Sequence, residues 1–211
     1  MKLPPAPPPL PAPVSNSHRG RQLDLRGQSS VSTGTKEMWE KLFDEGYRAD
    51  VVINTDNDRG SIFAHSNILG IASPVMRGLL KQASKHRGRR SISIRGVPHK
   101  AVRVFIGFLY SFSYEKEDEG EEREEESVLL QLLVLSHVYV VPELKELCVQ
   151  RLELQGFLTT ENVVDIFQLA LLCDAPRLSF ISRRMILRNL ESVSVMEGWK
   201  AMKESRPKEK E

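Results

Sequence analysis

The sequence predicts an α+β fold: a small three-stranded sheet flanked by helices, followed by an α-helical extension. Three observations carry that expectation. A β-branched run after Asp50 ends in turn residues and resumes as an extended segment at Ile62. A short alternation, Ser91-Ile92-Ser93-Ile94, marks another strand. Most of the remaining apolar residues recur at helical spacing.

Seven of the twelve prolines lie in the first thirteen residues, a composition that favours extended polyproline II over packing. Residues 1–33 are expected to form a disordered arm, and the Pro-x-x-Pro spacings at Pro4/Pro7 and Pro8/Pro11 follow from proline density alone. Order is expected from about Lys36, where Met38, Trp39, Leu42 and Phe43 mark an amphipathic helix stopped by Gly46. Val51-Val52-Ile53 is too short for a helix; Asn54, Asp56, Asn57, Asp58 and Gly60 supply turn chemistry, and Ile62-Phe63 completes a hairpin. Ile68, Leu69, Ile71 and Ala72 begin a helix. Ser73-Pro74 then reads as an N-cap and first helical position, ahead of Val75, Met76, Leu79 and Leu80. After the third strand, Gly96-Val97-Pro98 turns into a helix through Val102, Phe105, Ile106 and Leu109 that closes at Tyr110-Ser111.

Charge is uneven. No acidic residue lies between Asp58 and Glu115, while Arg59, Arg77, Lys81, Lys85, Arg87, Arg89, Arg90, Arg95, Lys100 and Arg103 predict a strongly basic face. Glu115 to Glu126 then holds nine carboxylates and two bases in twelve residues. Repulsion among them predicts a solvated loop over 113–126, either a tolerated insertion or a shield over the basic stretch. Lys85-His86-Arg87-Gly88-Arg89-Arg90 reads as a basic loop between helix and strand, with nuclear import as its sharper reading. No direct nucleic-acid contact is expected, since no aromatic residue interleaves with these bases.

Ser127 to His137 is apolar on nearly every side, so its helix belongs in the middle of the domain. Pro142 opens the next helix, with Leu144, Leu147, Cys148 and Leu152 on one face. Thr160 caps a helix through Val163, Ile166 and Ala170, and Asp174-Ala175-Pro176 starts another through Leu178, Ile181, Met185 and Ile186, giving an antiparallel helical hairpin.

A length of 211 residues and 40% hydrophobic content suit one compact domain with extensions. Cys148 and Cys173 lie on apolar helical patterns and read as buried thiols. Prolines break the N-terminus where a secretory signal would need an apolar core, and the longest apolar stretch, Val128 to Val141, is interrupted and shorter than the roughly 20 residues a bilayer demands. A soluble intracellular protein is expected, with no membrane partner.

The segments Ala49-Asp50-Val51-Val52-Ile53, Ile62-Phe63-Ala64-His65-Ser66-Asn67-Ile68-Leu69 and Ala72-Ser73-Pro74-Val75-Met76 together resemble the opening of the BTB/POZ domain. There "DV" begins a strand and "F-x-A-H-x-x-x-L" carries a second strand into a helix. The segment from Gly96 to Ser111 resembles the same domain's helix beneath the sheet. Further along, 132–142, 160–178 and 197–205 look like the plant BTB/POZ and TAZ domain-containing proteins. The resemblance divides the chain into a BTB/POZ domain at 34–155, a BACK-like helical region at 156–206 and a charged tail at 207–211. In that family a zinc-binding TAZ domain follows. Here two cysteines and five histidines lack zinc-site spacing, so the TAZ domain is expected to be absent, with no metal and no cofactor.

The resemblance implies a homodimer, also able to pair with related BTB proteins, through Met38, Trp39, Leu42, Phe43 and Asp50. It implies a substrate-specific adaptor of a cullin-3 ubiquitin ligase, docking through Leu79, Leu80, Gln82, Tyr110, His137 and Tyr139. Many cullin-binding relatives carry a hydrophobic-x-acid motif where this chain has Gln82-Ala83-Ser84-Lys85. Repressor-type relatives carry a base at Ser66 that forms a charged pocket with the strand aspartate; with serine there, that pocket is not expected, and Asp50 reads as a cap or hydrogen-bond acceptor. Pro176 to Leu190 is basic and amphipathic without an acid, so Arg177, Phe180, Arg183, Arg184, Met185 and Arg188 are calmodulin-binding candidates, against simple packing of the apolar face. The alternative function is a nuclear scaffold or dominant-negative dimeriser for transcriptional regulators, lacking ligase activity. Nucleus and cytoplasm are the expected locations. His65 with Asp50 or Ser73 is the one catalytic arrangement to weigh; no phosphate loop, serine elbow or metal motif accompanies it, and no catalysis is expected.

Overall fold

A computed structural model describes residues 32–56, 60–86, 88–114 and 122–205. The proline-rich arm up to residue 31, the turn residues Asn57 and Asp58 with Arg59, Arg87, the acidic run 115–121 and the tail from 206 lie outside the described residues. Helix α1 (Thr33–Glu45) leads into strands β1 (Val51–Asn54) and β2 (Ile62–Ala64). Helices α2 (Ser66–Ala72) and α3 (Pro74–Gln82) follow, then β3 (Lys85–His86), β4 (Arg89–Ser93) and α4 (His99–Ser111). The remainder is helical: α5 (Glu122–Val138), α6 (Pro142–Leu154), α7 (Val163–Leu172), α8 (Pro176–Arg188), α9 (Leu190–Ser194) and α10 (Glu197–Ser205).

The sheet has the order β2-β1-β4-β3. β1 pairs antiparallel with β2 and parallel with β4, placing Val51 opposite Arg90. The α+β expectation holds, with one addition: the basic segment read as a loop contains a fourth strand. Gly88, at φ 82, supplies the left-handed turn that sets Lys85 opposite Arg90. Like charges across a ladder repel, but Arg90 is already paired with Asp50 at 3.1 Å.

The acidic segment needs a second correction. Helix α5 starts at Glu122, five residues inside the stretch read as loop. Carboxylates are favourable in a first helical turn, where they face the positive end of the helix dipole. Here Glu124 also meets Lys100 at 2.8 Å, and Glu126 accepts from the Asn162 amide at 2.7 Å. Lys100, Arg90 and Arg103 are each met by a carboxylate, the last by Asp44 at 2.7 Å, so the basic face is partly neutralised.

One face of the sheet, through Val51, Ile53, Ile62, Ala64 and Ile92, packs on α2, α3 and α4. Leu129, Leu132 and Leu133 bury one side of α5 in the core, while Leu130 and Val134 on another side are half-buried. A second, smaller cluster joins Val163, Val164, Ile186 and Val193 with Trp199 and Met202. Gly198 lets α10 approach α7: a Cβ there would sit 2.9 Å from Asp165 Oδ1.

The helical half repeats one device. After α5, the Val140 amide donates to His137 O (3.3 Å) and the Val141 amide to Ser136 O (2.8 Å). After α7, Asp174 donates to Leu171 O (3.3 Å) and Ala175 to Ala170 O (2.8 Å). Both are Schellman turns, with Val140 (φ 55) and Asp174 (φ 49) left-handed. Each is followed by a proline in the first turn of the next helix. Buried Leu144, Cys148 and Leu152 in α6 find counterparts thirty-four positions on in Leu178, Ser182 and Ile186 of α8. The predicted hairpin α7/α8 is thus a second copy of the α5/α6 hairpin.

Candidate functional site

The residues that open the fold form a hydrogen-bonded junction. The Ser66 amide and hydroxyl donate to Asp50 at 2.8 and 2.6 Å, so the aspartate just ahead of β1 caps the start of α2 from across the fold. Burial alone would raise the Asp50 carboxyl; the Ser66 hydroxyl and amide, its own backbone amide and the Arg90 guanidinium outweigh this and hold it below its ordinary value. Within the subunit, Asp50 thus holds the start of α2 and pairs with β4. The cation expected to be missing at Ser66 is supplied by Arg90 of β4, 3.1 Å from Asp50 and 3.5 Å from the Ser66 hydroxyl.

Beside this pair, the His65 amide donates to the Tyr110 hydroxyl at 2.8 Å. The His65 ring donates through Nε2 to the Tyr47 carbonyl (2.7 Å), leaving Nδ1 to accept from the Tyr110 hydroxyl (2.8 Å). Burial pushes the Tyr110 phenol up to about 12; the His65 amide acts the other way, and the Asp50 charge adds to the rise. The Ser73 hydroxyl accepts from the Met76 amide and donates to the Tyr139 carbonyl at 2.6 Å. His65 and Ser73 thus serve the strand-to-helix and helix-to-helix junctions.

The α1 candidates divide. Met38 (58% exposed) and Trp39 (36%) face outward, Leu42 is half-buried, and Phe43 is buried against Tyr110 with ring centroids 5.1 Å apart. Two exposed aromatics that periodicity did not single out as surface, Tyr47 and Phe63, lie just past α1 and on the edge strand β2. Arg89 lies over the Phe63 ring at 5.2 Å.

The cullin-binding candidates divide as well. Leu79, Gln82 and His137 are exposed, whereas Leu80, Tyr110 and Tyr139 are buried, Tyr139 with its ring 5.2 Å from Phe105. These three lie beneath the surface that Leu79, Gln82 and His137 present. Between them the α5–α6 turn, read from the sequence as His137 to Val141, projects Val138 and Val140, 53% and 52% exposed. Lys145, which the sequence reading missed, reaches from α6 to the carbonyls of Cys173 (2.8 Å) and Asp174 (3.3 Å) and to His137 Nδ1 (3.3 Å). It ties the two Schellman turns into one end of the molecule. Burial raises both thiols, and the Lys145 charge opposes this at Cys173.

On α8, Leu178, Ser182 and Ile186 are buried and Met185 packs in the second cluster, while Phe180, Leu187, Arg183, Arg184 and Arg188 stay exposed. Arg177 meets Glu153 of α6 at 2.6 Å. The helix has a packed stripe and a separate basic, apolar outer stripe. Among the described residues, no helix is long and apolar enough to cross a membrane, and no group of three or more histidine, cysteine or carboxylate residues is placed to hold a metal ion.

The BTB/POZ domain family matches residues 39–156. BTB/POZ and TAZ domain-containing protein 4 of Arabidopsis thaliana is 58% identical over 200 residues, spanning 94% of this chain and 51% of that protein. Protein 5 of the same series is 56% identical over 183 residues, spanning 87% and 48%. The BTB domain of human Gigaxonin is 18% identical and covers 58% of this chain and 94% of that one, with a TM-score of 0.41. The chain spans about half the length of these two Arabidopsis relatives.

Proposed function

The chain belongs to the BTB/POZ domain family, a family of protein-interaction modules, and from that premise we propose that it is a homodimeric adaptor joining a client protein to a cullin-3 ubiquitin ligase. The carrying observation is the α5–α6 turn. Val140, a β-branched residue, is held left-handed at φ 55 and exposed, between buried Tyr139 and Val141. Such a conformation costs about 1–3 kcal/mol and persists only where its surroundings over-determine it. Here the Ser73 hydroxyl pins the Tyr139 carbonyl to the start of α3, and Leu79 follows on the same helix roughly 9 Å along its axis. An apolar, pre-shaped turn beside an exposed helix suits a helical partner.

A second reading, calmodulin binding, is favoured by the outer stripe of α8, where Phe180 and Leu187 stand seven positions apart among Arg183, Arg184 and Arg188. One chromatographic experiment tests both. The full chain is run with the cullin-3 N-terminal domain, and separately with calcium-loaded calmodulin, each at tens of micromolar. Co-elution with cullin-3 that Val140→Asn abolishes is expected, since asparagine tolerates the left-handed turn but removes the apolar contact. Absence of co-elution by the unaltered chain ends the adaptor reading. Calmodulin co-elution must vanish on chelating calcium and in Phe180→Ala, or the second reading fails.

A further inference from the structure

A concavity lies between the two helical hairpins. It is a groove of about 840 Å³ between α5 and α7, floored by Leu130, Val134, Phe157 and Leu169 and closed on one side by the α6–α7 loop. All four apolar side chains pack one edge on the core and turn the other toward the groove. Bonds at both ends tie the two hairpins together. At one end Asn162 joins Glu126 (2.7 Å) to the Phe157 carbonyl (2.7 Å). At the other, Lys145 joins the α5–α6 turn to the end of α7. A cleft of this volume with an apolar floor falls in the range of ligand sites.

Charge identifies the occupant. In a chain with 30 lysines and arginines, none of them lines the groove among the described residues, while Glu126 and Glu161 do. The partner of Glu126 is a neutral amide, so the negative charge at the rim is left standing. Along α5 the lining runs from Glu126 to Val134, roughly 12 Å, enough for three or four residues of extended chain at about 3.3 Å each.

We propose that this groove binds a short extended segment of a partner protein that carries apolar side chains and at least one lysine or arginine. The proposal rests on the chain being a protein-interaction module and adds the chemistry of one partner; it does not depend on cullin-3.

The probe is a phage-displayed random dodecapeptide library panned on the full chain, with recovered peptides synthesised and their affinities measured. Enriched peptides are expected to pair apolar residues with lysine or arginine. Leu130→Arg should weaken them about tenfold or more, the loss of a buried anchor, and Glu161→Lys about threefold, the reversal of a rim charge. Glu161 is exposed and its replacement leaves the core untouched, so the test survives if Leu130→Arg misfolds. Acidic winners, no enrichment, or equal binding to both folded variants would overturn the proposal. Cullin-3 co-elution by Glu161→Lys is expected to stay unchanged, so the groove and the adaptor reading can fail separately.

Discussion

Asp50 receives two hydrogen bonds from Ser66 and an ion pair from Arg90, so replacing it removes more than a surface charge. Asp50→Asn keeps an acceptor for the Ser66 amide but loses the charge, and should cost about 1 kcal/mol at neutral pH, the size of a helix cap. The folded carboxyl sits below its ordinary value of 3.8. The native state therefore sheds this proton more readily than the unfolded chain. Its stabilisation is complete above the ordinary value and is lost as pH falls through the lowered native one. Urea unfolding at pH 7 and again near pH 3 should show the difference between the native chain and Asp50→Asn shrinking in acid; a constant difference would remove Asp50 from the acid response. At this scale the acceptor role of Asp50 was legible, because an aspartate opening a strand ahead of a helix has few other uses. Arg90 was not, since its approach depends on the parallel pairing of β1 with β4, forty residues apart and invisible to local spacing. The burial of Tyr110 was hidden for a related reason: a helix-closing tyrosine looks like surface until His65, forty-five residues back, is placed against its hydroxyl.

The helical hairpins were read correctly in kind, because Pro142 and Pro176 mark second helices and the apolar faces keep their period. The backbone conformation of their turns was harder to see. The left-handed positions are filled by Val140 and Asp174, neither of them the glycine that usually announces such a turn. The start of α5 was misplaced because repulsion within the acidic run was weighed without the helix dipole or the groups that meet Glu124 and Glu126. At this scale Lys145 is the residue to test. Its ammonium satisfies two carbonyls at the end of α7 and an imidazole on the neighbouring turn. Lys145→Met keeps the packing stem and removes the donors, and at about 1 kcal/mol for such bonds should speed amide exchange across α7 and α8 roughly fivefold while leaving α6 unchanged. Uniform exchange in both proteins would mean that the hairpins are held by packing alone.

For the molecule as a whole, α1 and the neighbouring edge strand β2 expose Met38, Trp39, Tyr47 and Phe63, with a guanidinium over the Phe63 ring. Exposed aromatics on a helix and an open sheet edge suit self-association. Trp39→Glu should lower the sedimenting mass from dimer to monomer without altering the helical signal; a variant that stays dimeric would move the interface elsewhere. The α1 pattern foretold a helix with one apolar side but not that Phe43 and Trp39 would part company, because one helix face met the core before the other could. The paired hairpins carry a consequence for folding. Units that repeat and touch mainly their neighbours behave as a one-dimensional array, whose stability is a sum of local terms and whose ends melt first. The sheet domain anchors one side of that array, and the α7/α8 hairpin, with α9 and α10 behind it, lies farthest from the sheet among the described residues. Heating should open the chain as a front moving from α10 toward α5, so the turn at Val140 would outlast the turn at Asp174 that copies it.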